Sequence, residues 1–118
     1  MAIPFDQLTD AELLDIANHM MDSLMQASTE KDYAKHIQYF SQRAQSVLDE
    51  TRFKIICGVY QETMGIFTDR EFVKLFRRPE SVAIIWTQKY SKVKGDYVAE
   101  MVMLIEDDQY RVDHAFVF

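Results

Sequence analysis

VAIIWTQKY (82–90), YVAEMVMLIE (97–106) and YRVDHAFVF (110–118) are the segments on which the architecture turns. In each, apolar residues recur at every second position, the pattern of a strand whose alternate side chains point to opposite faces. One parity collects Val82, Ile84, Trp86, Ala99, Met101, Met103, Val112, Phe116 and Phe118, with His114 as its only group that titrates near neutral pH. The other carries Thr87, Lys89, Glu100, Arg111 and Asp113, interleaved with Ile85, Val102, Leu104, Ala115 and Val117. The first parity reads as a buried sheet face, and the second is too apolar for open water and reads as a face that meets a partner. A one-residue bulge ahead of His114 would turn it outward and reverse the assignment of everything after it.

Working toward the N-terminus, a further strand is expected over 68–77. Arg78-Pro79-Glu80, Lys94-Gly95-Asp96 and Asp107-Asp108 supply the turn chemistry between strands, and connections this short make sequence neighbours antiparallel. Before the strands the period is helical. Thr9 and Glu12 form a capping box flanked by Leu8 and Leu13, and Leu13, Ile16, Ala17, Met20 and Leu24 make a buried stripe. A second helix is expected to start at Thr29, with Asp32 three residues on and Tyr33, Ile37 and Phe40 as its stripe, whereas 41–46 is ambiguous. Asp49 caps a third helix with the stripe Phe53, Ile56, Cys57, Tyr60 and Met64, closed by Gly65. Gly58 inside that helix is costly, which points to close approach of another backbone or of a ligand. The expected fold is α+β: three N-terminal helices packed on a curved four-stranded antiparallel sheet, one domain over residues 1–118.

Composition narrows the function classes. Thirteen basic against nineteen acidic residues give a net charge of −6, which opposes binding to nucleic acid or to an anionic membrane surface. The first residues lack the charged start and apolar run of a signal peptide, and no segment has the length of a membrane span, so a cytosolic setting is expected. Cys57 is the single cysteine and reads as a small core hydrophobe. With three glycines, no phosphate-cradling loop and no paired-cysteine or His-Glu-x-x-His motif, no cofactor and no metal is called for. Asp15, His19 and Asp22 share one helix face at a spacing that could hold a divalent ion, but they oppose the buried stripe and read as solvated.

The strings MGIFTDREFVKLF (64–76), AIIWTQKYSK (83–92) and VAEMVMLIEDDQYRVDHAFVF (98–118) resemble small bacterial members of the nuclear transport factor two-like, or cystatin-like, superfamily. The resemblance implies a cone of sheet around helices, frequent homodimers through the outer sheet face and often an internal pocket; it implies no single reaction. The carboxylate-based proton shuttle of the family's isomerases has no counterpart on the inner parity of the last three strands. No catalytic residue is therefore assigned.

Two functional readings follow. The leading one is a non-catalytic homodimer paired through Ile85, Thr87, Lys89, Glu100, Val102, Leu104, Arg111, Asp113, Ala115 and Val117, with Lys89 or Arg111 meeting Glu100 or Asp113 across a two-fold axis. The alternative is a small apolar ligand held inside the cone by Tyr60, Trp86, Met101, His114 and Phe116, as a binder or an isomerase- or cyclase-like enzyme. An adaptor for a different protein would use the same face as the dimer.

Overall fold

The structure, a computed structural model, describes residues 1–118. After a single 3-10 turn at Phe5–Gln7, helix α1 runs over Asp10–Glu30. The capping box closes it: the Glu12 N–H donates to Thr9 Oγ1 at 3.1 Å and the Thr9 N–H to Glu12 Oε1 at 2.9 Å. Thr29, expected to open the second helix, lies inside α1, where its hydroxyl donates to the Met25 carbonyl at 3.0 Å. A threonine inside a helix meets its hydroxyl's hydrogen-bonding need in this way. The break falls instead at Lys31, left-handed at φ 58°, and Asp32 then caps the single turn α2, Tyr33–His36. The ambiguous stretch is a further short helix, α3, Gln42–Val47, started by Ser41, so four α-helices precede the sheet instead of three. Helix α4, Glu50–Thr63, begins at Asp49 as expected, and Gly65 follows it at φ 88°. A Cβ on Gly65 would meet Ser91 Oγ at 2.1 Å, so both backbone angle and space require glycine there. Gly58 has no such reason: nothing lies within 4 Å of where its Cβ would be, and no backbone approaches it.

Strands β1 (Phe67–Arg77), β2 (Ser81–Tyr90), β3 (Tyr97–Glu106) and β4 (Gln109–Val117) form one antiparallel sheet in the order β1-β2-β3-β4. Asp107 and Asp108, at φ 52° and 61°, make the two-residue turn between β3 and β4. Helix α1 covers the inner face, burying Leu13, Ala17, Met20, Met21 and Leu24 in one cluster with Val82, Ile84, Trp86, Ala99, Met101, Met103 and Val112. Trp86 Nε1 donates to Asn18 Oδ1 at 2.9 Å, and the Arg70 guanidinium lies over the indole at 5.3 Å. The fully buried Gln88 uses its amide to hold the Thr68 and Lys89 carbonyls at 3.2 and 2.9 Å, beside the first irregularity of β1. No helix is long and apolar enough to cross a membrane.

A bulge in β4 changes the face assignment. Met103 pairs with Val112 but Val102 pairs with His114, leaving Asp113 as the extra residue. Beyond it the parity reverses: Ala115 and Val117 pair with the inward residues Met101 and Ala99 and pack on the core, while His114 and Phe116 pair with the outward Val102 and Glu100. Phe116 is 56% exposed, and Phe118 turns outward with it. Thus His114 and Phe116, expected inside, are on the outer side; Ala115 and Val117, expected on the partner face, are inside. The cause is local. Residues Tyr39–Ser41 lie along the β4 edge, with the Ser41 N–H donating to the Val112 carbonyl at 2.9 Å and the Val112 N–H to the Tyr39 carbonyl at 2.7 Å. Asp113 is then drawn sideways, accepting from Ser41 Oγ at 2.7 Å and Arg43 Nε at 3.0 Å, while Arg43 Nη2 holds the Asp113 carbonyl.

Candidate functional site

Past Ser41 the edge of β4 is no longer covered, and a cavity of about 500 Å³ opens between α4, α1 and that edge. Twenty-two residues line it, sixteen of them hydrophobic. Met21, Leu24 and Met25 come from α1, Phe53, Ile56, Cys57 and Tyr60 from α4, Phe67 and Tyr90 from β1 and β2, and Ala115 and Val117 from β4. Helix α4 buries Phe53 and Cys57, but Ile56, expected in the buried stripe, is 51% exposed on the cavity wall. Small-molecule sites have volumes and apolar linings of this kind.

The polar groups in the wall are few. Ser28 Oγ and Tyr60 OH are hydrogen-bonded to each other at 2.6 Å, with Cys57 Sγ 3.5 Å from Ser28, so they satisfy one another. Burial raises the Tyr60 phenol above its ordinary pKa against the pull of its bonds to Ser28 and Gln61, and burial pushes Tyr90 up to about 12. Both are neutral hydroxyls at physiological pH. His36 packs tilted against Phe53 and edge-on against Phe40, at centroid distances of 4.5 and 5.4 Å, and burial lowers its pKa to about 4 against the opposing bond to Leu24. Its Nδ1 lies 3.3 Å from the Leu24 carbonyl and carries the proton, leaving Nε2 as an acceptor. Asp113 is the one carboxylate in the wall; burial pulls its pKa up, but the hydrogen bonds from Arg43 and Ser41 and the charges of Arg43 and His114 outweigh that and leave it lowered. With Asp113 so engaged, the wall offers hydrogen bonds and apolar surface, not a free carboxylate base.

Of the residues expected to bind a ligand, Tyr60 lines the cavity, and His114 and Phe116 border it from the β4 edge. Trp86 and Met101 do not: they are closed into the core beneath α1, which fills the sheet's centre. Of the expected partner face, Ile85, Thr87, Val102 and Leu104 are partly exposed on the outer side, now joined by His114, Phe116 and Phe118 and by Phe76 of β1. Its charges are used within the chain. Glu100 binds His114 at 2.8 Å, Lys89 lies 3.9 Å from Asp96, Arg111 donates to the Gln38 carbonyl at 3.2 Å, and Asp113 sits at the edge with Arg43, off that face. Asp15, His19 and Asp22 remain exposed and do not gather into a metal-holding group, Asp22 pairing with Arg70 and His19 with Tyr39. His36, Arg43 and Arg52 are wall residues that the strand pattern did not point to. The available signal was in α4, where Ile55, Ile56, Cys57 and Val59 spread apolar character over a wider arc than one buried stripe needs.

Neither a protein-family model nor a curated protein sequence matches this chain. Solved structures do. A candidate calcium/calmodulin-dependent protein kinase type II association domain from Thiobacillus denitrificans ATCC 25259 is similar with TM-score 0.65 at 12% identity, over 85% of this chain and 91% of that one. A nuclear transport factor two-like protein of unknown function from Pseudomonas putida KT2440 is similar with TM-score 0.61 at 12% identity, over 87% and 83%. Another of unknown function from Shewanella baltica OS155 gives 0.57 at 8% identity, over 95% and 97%. At such identities the likeness is one of fold.

Proposed function

Starting from the nuclear transport factor two-like fold that these elements share, we propose that the protein binds a small, largely apolar molecule in the cavity between α4 and the β4 edge. The observation that carries this reading is the cavity itself, about 500 Å³ with sixteen hydrophobic residues among twenty-two. Met21 and Met25 add thioethers that adapt to the shape of what they contact. The test is titration with the neutral fluorophore Nile red. Saturable, stoichiometric binding is expected, weakened about tenfold or more by Ile56→Trp, which narrows the cavity from a half-exposed position; equal binding by that variant, or none by the wild type, refutes the reading.

A second reading, self-association through the outer sheet face, is favoured by a different observation: Phe76, Phe116 and Phe118 are each about half exposed beside Ile85, Val102 and Leu104. An apolar surface of that kind on a sheet is a common interface. The description of the Thiobacillus protein as an association domain supports the same reading. Sedimentation at micromolar concentration is expected to give a dimer; a monomer throughout removes it.

A further inference from the structure

We propose that the molecule held in the cavity is an amphipathic carboxylate, its apolar body against Met21, Leu24, Phe53 and Ile56 and its carboxylate at the mouth on Arg52. This rests on the cavity being a ligand site. It is carried by the charges of the wall taken one at a time. His36 is uncharged at neutral pH, Asp113 and Arg43 neutralise each other, and His114 is bonded to Glu100. Arg52 is left: its backbone N–H donates to Asp49, but its guanidinium has no ion pair and no hydrogen bond.

It is thus the one charged group of the wall without a partner, in a chain with nineteen acidic residues and a net charge of −6. Its place in the first turn of α4 does nothing for the helix, because a cation there opposes the helix dipole. Deeper in, Ser28 and Tyr60 are already bonded to each other, so a polar head directed inward would have to break that pair. A head directed outward meets the unpaired guanidinium, whose planar fork suits a carboxylate.

Displacement of Nile red by dodecanoate and by dodecanol, both below micelle-forming concentrations, tests this. Dodecanoate is expected to bind at least about tenfold more tightly, the preference shrinking as salt is raised. Arg52→Gln is expected to erase the preference while leaving dodecanol unchanged; Arg78→Gln, a charge control in the β1–β2 turn, alters neither. Equal affinity for the two probes, or a preference that survives Arg52→Gln, overturns the carboxylate assignment and leaves the cavity reading standing. Failure of wild-type protein to bind Nile red and both probes overturns the two together.

Discussion

His36 shows how one side chain is set by what surrounds it. On α2 it looks like an edge residue, yet the rings of Phe40 and Phe53 close over it and the imidazole is held neutral. Its folded pKa of about 4 lies below the ordinary 6.5, so between those values the unfolded chain holds the extra proton. Stability from this group is therefore complete above pH 6.5 and falls as pH drops toward 4, by about 3 kcal/mol in all, with a slope of at most about 1.4 kcal/mol per pH unit. In His36→Phe, which keeps an aromatic ring between Phe40 and Phe53, urea denaturation at pH 7, 6 and 5 is expected to show that decline removed. The same slope in both proteins would place the proton elsewhere.

Among the elements, α4 and β4 differ in how much of their form is local. Asp49 and Gly65 bound α4 in the sequence and in the structure, because a cap and a left-handed terminus depend on a few adjacent residues. Gly58 within it suggests a close approach of another backbone or of a ligand, but the space beside it is open. Gly58→Ala is then expected to stabilise the fold by about 1 kcal/mol in thermal or urea melts, the ordinary helix-propensity gain. Strand β4 takes its form from a distance. Its alternation is legible, yet the bulge depends on Ser41 and Arg43, about seventy residues earlier, gripping Asp113. Asp113→Ala is expected to cost about 1–2 kcal/mol, since it leaves the buried Ser41 hydroxyl and Arg43 Nε without their acceptor. The wild-type advantage is expected to be full above the ordinary carboxylate pKa of 3.8 and lost as pH falls through the lowered folded value. An advantage unchanged at pH 2 would refute the pairing as its source.

For the molecule as a whole, one amphipathic helix on a bulged sheet leaves two apolar surfaces unspent: the cavity wall under α4 and the outer sheet face. They are separable by experiment. Val102→Glu, at a partly exposed outer position paired with His114, is expected to shift sedimentation from dimer to monomer with little change in melting temperature. Nile red binding in the cavity is expected to survive it. Loss of both together would mean that the dimer shapes the cavity, and an unchanged dimer would exclude this face as the interface.

Periodicity, caps and turns in the amino-acid order were enough to establish an α+β domain with helices first and an antiparallel four-stranded sheet after, because each of those signals is read over a few neighbouring residues. The same alternation turns Trp86 and Met101 inward, where the structure packs them into the solid core. The direction of His114 and Phe116, the exposure of Ile56 and the company of Arg52 were decided only when distant segments met. A single extra residue in an edge strand exchanges the two faces beyond it, and whether that residue bulges depends on which side chains wait beside the edge. The cavity has the same origin, for it is bounded by helices α1 and α4 and by strand ends whose separation no local pattern encodes.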